Sequence, residues 1–464
     1  MEENKDFGRF IDDNHLVFQV RQNTPMIHFQ SYQEGAFLRA TELKPKFDKF
    51  LDSKKDKYKD IINDDFILKK NENDQNKSSS FNYKVRIKVK DSDLYKTDIE
   101  KENGVDKYNN IKFTSFPQFF GNIGNDKEKE KNDRFRFVYC KKPFEIEFFS
   151  YNKKLLEFIK NNFAEFLFQT NFGTRQSKGF GSFYIDGEDF SLTENYKNIH
   201  YASFFDVELN KNYDKNNGIY YDNWKKIFDN IDLLYKTFRS GINHNIYFKS
   251  LMYHYAADKN YSWEKKLIKK EFKELSSQSN NKKNVSCITD KDESNTKDIL
   301  KYKLYRDMLG LSVEQTWNNY KVLKENSVKK EDEKIERFMS PIMFKPILLN
   351  DENKNINKCR VYIILNNINE KIFEQKFSIS SAKLSKNSTI QIKTKSGKDK
   401  IDICTPSPED FNLNDFFDFC LKFIDEKLKQ NEKSKKNDFD LENKECRKIV
   451  NIYKDLIKNK WSNF

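Results

Sequence analysis

The apolar residues in the first part of the chain switch repeatedly between the period of a strand and the period of a helix. Alternation at Leu16, Phe18 and Val20 predicts a strand, and the helical spacing of residues 36–50 predicts a following helix capped by Thr41. The same reading predicts strands at 81–90, 111–120 and 144–149, a helix at 152–168 and a strand at 183–185. Strand, helix, two or more strands, helix and strand is the β-α-β-β-α-β order of a ferredoxin-like domain.

A second unit of the same kind is predicted to begin near residue 200. Its alternating start, at 200–209, is followed by helical patterns at 223–273, 296–309 and 313–324, strands at 337–349 and 360–365, and helices at 413–429 and 440–460. We therefore expect an α+β protein of tandem ferredoxin-like (RRM-like) domains. The predicted domains span residues 1–196 and 197–464, with a helical insertion in the second at about 222–330.

Composition supports folded domains with a negatively charged partner. The 464 residues include 43 Phe and 23 Tyr, which is enough for sizeable cores. The net charge of +13 favours nucleic acid or an anionic membrane surface, although a lysine-rich habit of composition explains it equally well. No apolar run approaches the length of a membrane span, and the start of the chain has no apolar leader region. We expect a soluble protein of the cytoplasm that does not bind membranes.

The cysteines are scattered along the chain and form no CxxC or Cys/His cluster. This spacing argues against a zinc site and predicts free thiols in a reducing cytoplasm. No cofactor is expected. The six residues concerned are Cys140, Cys287, Cys359, Cys404, Cys420 and Cys446.

A glycine-rich segment, GTRQSKGFGSF at residues 173–183, lies between a predicted helix and a predicted strand. Its glycines let the backbone approach a ligand, exposed amides there can cradle phosphates, and Arg175 and Lys178 add positive charge. Phe180 can stack on a base or anchor the loop to the sheet. The segment is neither a Walker A motif nor a GxGxxG that opens a helix. A purely structural turn is the competing reading.

The segment GTRQSKGFG resembles the glycine-rich loop of the RAMP superfamily, the repeat-associated proteins of CRISPR systems. Within that superfamily, the chain resembles the first-numbered RAMP subunit of the type III-B (Cmr) effector complex. Two further segments carry this likeness beside the loop: the threonine-proline TPMIHF followed by LRATELKPKF, at 24–29 and 38–47, and the serine-proline strand RFMSPIMFKPI, at 337–347.

The resemblance implies a binding and architectural subunit that holds CRISPR RNA, target RNA or both. Its implied partners are other type III RAMP subunits and the polymerase-like large subunit. Arg39 and Lys44 match the family's first-helix positions, where helix amides and positive charge can hold a phosphate, but both can instead solvate a helix face. Arg337 and Lys345 can be RNA contacts or ordinary charges flanking a strand. The predicted RNA-binding residues are Arg39, Lys44, Gly173, Arg175, Lys178, Gly179, Phe180 and Gly181.

The alternative is a metal-independent endoribonuclease that processes CRISPR transcripts. His28 lies beside the predicted RNA face and would act as general base on a 2′-hydroxyl. Asp12, Asp13 and Asp48 have no patterned partner, and the sequence contains no HD, GGDD, HExxH or GxSxG motif. We therefore expect no catalytic residues, no metal ligands and no enzymatic activity.

Overall fold

The computed structural model describes most of the chain, with gaps between the described segments. Its residues are 8–27, 37–54, 66–69, 80–98, 101–105, 111–113, 136–186, 202–209, 217–275, 285–288, 301–317, 320–327, 334–350, 356–384, 389–433 and 441–461. Within these residues the protein is a mixture of α-helices and mostly antiparallel sheets. None of the helices there combines the length and the apolar character that crossing a bilayer requires.

The first half places two helices on one face of an antiparallel sheet. Its helices are α1 (Ala40–Ser53) and α2 (Lys153–Phe168). Its strands are β1 (Arg9–Asp12), β2 (His15–Gln22), β3 (Ile67–Lys69), β4 (Ser80–Phe81), β5 (Lys84–Lys88), β6 (Leu94–Asp98), β7 (Lys101–Val105), β8 (Ile111–Phe113), β9 (Arg136–Cys140), β10 (Phe144–Phe149) and β11 (Phe183–Ile185). The main sheet runs β11–β2–β10–β5, and β1 pairs with the other end of β2.

Alternating side chains determine which face of this sheet is covered. Leu16, Phe18 and Val20 of β2 are fully buried, and they pack in one core with the inward side chains of β10, α1 and α2. Asn152 caps α2, since its side-chain oxygen accepts a hydrogen bond from the Leu155 amide at 3.2 Å. The opposite face of the sheet carries the polar half of each strand.

The first helix begins differently from the prediction. The residue before it is Arg39, whose side chain makes no capping hydrogen bond, while Thr41 already lies inside the first turn. The prediction that Thr41 caps the helix is therefore wrong. The carbonyl of Arg39 accepts the amides of Glu42 and Leu43, both at 3.0 Å, so the helical hydrogen bonds start two residues earlier than the sequence suggested.

The second half contains more strands than the sequence pattern indicated. Its helices are α3 (Asn217–Arg239), α4 (Leu251–Asp258), α5 (Glu264–Glu271), α6 (Leu413–Lys433) and α7 (Lys444–Lys458). Its strands are β12 (Ser203–Glu208), β13 (Ile242–His244), β14 (Ile246–Phe248), β15 (Ser262–Trp263), β16 (Val285–Ser286), β17 (Tyr302–Lys303), β18 (Leu311–Ser312), β19 (Glu314–Trp317), β20 (Tyr320–Asn326), β21 (Arg337–Phe338), β22 (Ile342–Asn350), β23 (Ile356–Leu365), β24 (Lys376–Leu384), β25 (Thr389–Ile392) and β26 (Ile401–Cys404).

Two sheets dominate this half. One is β12–β23–β22, and the other is β19–β20–β24–β25 with β26 also paired to β24. The predicted helix at 313–324 is wrong, because β19 and β20 form an antiparallel hairpin there. The buried positions of β20 alternate through Tyr320, Val322 and Lys324, and a lysine at a buried position concealed the strand period. The predicted helix at 296–309 is also wrong where the structure describes it, since β17 and a 3-10 turn at Tyr305–Leu309 occupy it.

The β12–β23–β22 sheet joins the two halves. Phe344 and Val361 face the core of the second half, whereas Met343 and Tyr362 face the core of the first. Because both faces are buried over residues 342–348 of β22 and 361–364 of β23, these runs are apolar in sequence apart from Lys345. The cores of the two halves therefore pack against opposite faces of the same sheet.

Cys287 and Cys446 form a disulfide that links the segment after β16 to α7. Their Cα atoms are 5.6 Å apart, within the ordinary range for such a bond. The expectation of free thiols is therefore wrong for this pair, while Cys140, Cys359, Cys404 and Cys420 are free. The two partners are separated by 159 residues, which explains why spacing did not reveal them.

Candidate nucleic-acid interface

The glycine-rich loop has a conformation that only glycine tolerates at its key positions. Gly173, Gly179 and Gly181 have φ values of +79°, +85° and +62°. A Cβ atom on Gly181 would lie 1.9 Å from the carbonyl oxygen of Phe172, and one on Gly173 would lie 2.6 Å from that of Ile27. The glycines are therefore required because other groups pass too close to leave room for a Cβ atom. The sequence predicted that the approaching group is a ligand, whereas in the structure it belongs to the protein itself.

The glycine amides are already hydrogen bonded. The Gly173 amide donates to the Glu42 carboxylate at 2.9 Å, and the Gly181 amide donates to the Pro25 carbonyl at 2.9 Å. The Gly179 amide donates to a carbonyl within the loop at 3.2 Å. The prediction that exposed glycine amides cradle a phosphate is therefore wrong for this structure.

Phe180 fills the junction between the two halves. Its ring is fully buried and stacks on Phe228 of α3, with ring centroids 3.8 Å apart and planes inclined by 5°. The neighbouring Gly179 lies against Pro346 and Ile231, since a Cβ there would come within 3.0 Å of each. Phe180 is thus not accessible for stacking on a base; it anchors the loop, and it does so on a helix of the second half.

Lys178 and Arg175 are less accessible than the sequence suggested. The ammonium nitrogen of Lys178 is buried over the ring of Tyr235 and has no hydrogen-bond partner among the described residues. Burial and the nearby positive charge of Arg239 hold the pKa of Lys178 well below its ordinary value. Arg175 is half-buried with a left-handed backbone, and burial lowers its pKa to about 10. The expectation that Lys178 is exposed is wrong.

The threonine-proline segment fastens this loop. The Thr24 hydroxyl donates to the Gly179 carbonyl at 2.6 Å and accepts the Ser182 amide at 3.0 Å. Thr24 itself is fully buried, so its role here is structural. His28 and Phe29, at the end of the same motif, lie outside the described residues.

The first helix reaches the loop through different side chains from those predicted. Lys44 donates to Asp48 at 2.6 Å and to the Phe81 carbonyl at 3.0 Å, and it lies 4.2 Å from the centroid of the Tyr83 ring. It therefore faces β4 and β5. The α1 lysine that contacts the loop is Lys46, which donates to the Gln176 side chain at 3.1 Å. Arg39 is half-buried at the start of the helix.

Lys345, in the serine-proline strand, is an interior lysine. It donates to the carbonyls of Leu167 and Thr170 at 2.6 and 2.8 Å and to that of Phe183 at 2.9 Å. Carbonyls at a helix C-terminus lack intrahelical partners and carry partial negative charge, so this ammonium stabilises the end of α2. Its role is structural. Arg337, at the start of β21, is exposed.

Sequence analysis missed an aromatic group on the open face of the first sheet. His15 of β2 and Phe149 of β10 are directly opposite in the strand register, with ring centroids 5.0 Å apart. Tyr151 follows, 5.0 Å from Phe149 and 88% exposed. We call His15, Phe149 and Tyr151 the aromatic platform. The last residue of the β10 sequence FEIEFF is Phe149, an aromatic residue on the polar face of the strand. This departure from the alternation is the sequence signal that could have indicated the platform.

Charged side chains surround the platform. Lys84 of β5 is exposed opposite Phe149, and Arg86 follows on the same face. Further along, Lys88 pairs with Glu147 at 3.0 Å and with Glu145 at 3.6 Å, partly balancing these charges. On the other side of the platform, Asp12 accepts a hydrogen bond from His15 at 2.9 Å, and this bond lowers the pKa of Asp12. Exposed rings with cations at their rim can stack bases and attract phosphates.

Comparison with protein families matches nearly the whole chain. The Cmr1 N-terminal domain matches residues 13–242, and the Cmr1 C-terminal domain matches residues 247–448. The chain belongs to the Cmr1 family. Membership supports a subunit of the multi-protein Cmr complex of type III-B CRISPR systems and agrees with the resemblance drawn from the loop. A comparison with curated proteins finds no match.

The Cmr1 chain shows no metal centre in its described part, where no group of three or more His, Cys, Asp or Glu side chains could hold an ion. The structure therefore divides the predicted residues into two sets. The loop and Lys44 are held by internal contacts, and Arg39 and Arg175 remain half-buried. Accessible aromatic surface is found instead on the open face of the first sheet.

Proposed function

We propose that this Cmr1 protein is a non-catalytic, RNA-binding subunit that contacts CRISPR RNA, target RNA or both during antiviral defence in the cytoplasm. The observation that carries the proposal is the aromatic platform, in which Tyr151 is exposed just beyond β10 and His15 and Phe149 are half-buried beside it. Aromatic rings on the surface of a sheet are a general means of stacking unpaired bases. Lys84 and Arg86 at its rim are suited to the phosphates between those bases.

We interpret two sheets as ferredoxin-like: the main sheet of the first half and the β12–β23–β22 sheet of the second half. The order β11–β2–β10–β5, with a helix after β2 and another after β10, supports this for the first half. In the second half, β12, β23 and β22 lie side by side in the same order as β2, β10 and β5 of the first half. Helix α3 follows β12 in the chain, as α1 follows β2. The glycine-rich loop links the two halves through the stacking of Phe180 on α3, which favours contact of both halves with one continuous RNA.

A single platform contacts only a few nucleotides, so useful affinity depends on neighbouring RNA-binding subunits. We expect the protein to co-purify with CRISPR RNA, other type III RAMP subunits and the polymerase-like large subunit when these are expressed together. Ribonuclease treatment should loosen the association, because the RNA bridges the subunits. Recovery of the tagged protein alone, without small RNA or sibling subunits, would count against the proposal.

The endoribonuclease alternative is tested with the isolated protein. Incubation with CRISPR repeat RNA, with and without divalent metal, should give no cleavage products. Cleavage that is lost in His28→Ala, or in His15→Ala, would replace the proposal with a processing nuclease. Retention of fold in both variants is checked by thermal melting.

A further inference from the structure

A second concentration of positive charge lies on α4 and α5, far along the chain from the aromatic platform. Helix α5 has the sequence EKKLIKKE, with four lysines among eight residues, and Lys249 lies immediately before the Ser250 cap of α4. Lys266 and Lys269 are exposed and three residues apart, so they share one side of the helix. Lys249 is half-buried.

Two of these lysines converge on one aromatic ring. The ammonium of Lys249 lies 4.0 Å from the centroid of Tyr253, and that of Lys266 lies 5.8 Å from the same centroid. The ring is held in place by an edge contact with Trp263 at 5.9 Å. Two cations are thus positioned over a single buried phenol, which attracts each of them through its π-face.

The electrostatics of this cluster favour an anion. Burial lowers the pKa of Lys249, and the like charges of Lys266 and Lys269 lower it further. A phosphate oxygen placed beside this cluster is attracted by each of its positive charges at short range. Lysines suit this role as point charges that do not demand one geometry, unlike the planar fork of arginine.

We propose that Lys249, Lys266 and Lys269 form a binding site for the sugar-phosphate backbone of single-stranded RNA, separate from the aromatic platform. This inference rests on the proposed function, since it names a second contact along the same RNA. The site holds phosphates and the platform holds bases. Together the two contacts let one chain engage a longer stretch of RNA than either engages alone.

The test replaces Lys249, Lys266 and Lys269 by Gln and measures the dissociation constant for labelled single-stranded RNA across a salt series. Because each phosphate contact on a single strand contributes about 0.7 to the slope of log affinity against log salt, the slope should fall by about 2. Affinity at low salt should fall by about tenfold or more. The matched control, Lys422→Gln with Lys433→Gln and Lys444→Gln, removes equal charge from exposed positions on α6 and α7 and should keep the slope.

Each outcome decides something. A triple variant that behaves like the control overturns the lysine site, even where platform variants still lose affinity. A wild-type protein that binds no RNA overturns both the site and the proposed function. Normal RNA binding combined with lost assembly into the complex overturns the site in favour of docking to an acidic protein surface. Since Lys249 is half-buried, the double variant Lys266→Gln and Lys269→Gln repeats the test at exposed positions only.

Discussion

The interiors of the two halves differ in kind. The first half has a core of aromatic and aliphatic side chains, and each ion pair described there keeps at least one partner in contact with solvent. The second half encloses a network of charges: Glu264, Arg306, Asp307 and Lys324 are all 3% exposed or less. Hydrophobic burial organises the first half, whereas the second also depends on charges that must find partners away from water.

The buried network joins separate elements. Arg306 contacts Glu264 of α5 at 3.1 Å and donates to Gln315 of β19 at 2.6 Å, and Lys324 of β20 donates to Asp307. Removing such charges from water is unfavourable unless every one is paired, so losing a single partner is expected to destabilise this half strongly. The same contacts hold the α5 helix that carries the lysine site.

The largest expected effect comes from breaking that network. Asp307→Ala leaves Lys324 buried without its carboxylate and should lower the free energy of unfolding by about 3–5 kcal/mol. The control is Asp13→Ala, which removes the exposed partner of Lys153 and should leave the free energy of unfolding unchanged. Denaturant unfolding measures both. Equal effects of the two substitutions would remove the distinction drawn between the halves.

A smaller effect is expected at the junction between the halves. Phe180→Leu loses the stacked contact with Phe228 while keeping much of the volume, and should lower the free energy of unfolding by about 1–2 kcal/mol. Tyr151→Leu, at an exposed ring, should have no such effect. If Phe180→Leu weakened RNA binding without changing stability, Phe180 would be an RNA contact rather than an anchor.

The pH dependence of stability offers a finer comparison. Burial, followed by the charge of Arg306, lowers the pKa of Lys265 from 10.5 to about 7, while Glu264 opposes the shift and Arg239 and Lys269 add to it. Between those values the unfolded chain binds the proton and the folded chain does not, so this group makes stability rise with pH. Lys265→Gln should be more stable than the wild type at pH 6, and this advantage should shrink progressively as the pH rises from about 7 toward 10.5, measured by thermal melting. A constant difference would contradict the shift.

Sequence reasoning succeeded where one physical signal dominated. The main strands and helices of the first half follow hydrophobic period, as β2, β10 and α2 do. It failed where a buried position carries charge, because Lys324 and Lys345 are stabilised by partners that lie far along the chain. The hydrophobic period alone predicts that such residues are exposed.

The candidate site was only partly predictable for a related reason. The glycines of the loop were recognised as necessary, but the object they approach is set by tertiary packing: Phe228 is on a helix 48 residues beyond Phe180. The aromatic platform depends on the register that places His15 opposite Phe149. That register is decided by strand pairing between segments separated by a helix and several other strands, which sequence period does not report.

The affinity of the Phe149→Ala and Tyr151→Ala double variant for single-stranded RNA measures whether RNA bases stack on the open face of the first sheet. We expect a loss of between about fivefold and a hundredfold, because losing one stacked base costs about 1–3 kcal/mol, with unchanged melting temperature and an unchanged salt slope. The matched control replaces two exposed apolar side chains elsewhere, Met339→Ala with Ile390→Ala, and should bind as the wild type does. An affinity equal to that of the wild type in the platform variant would show that RNA bases do not stack on the aromatic platform.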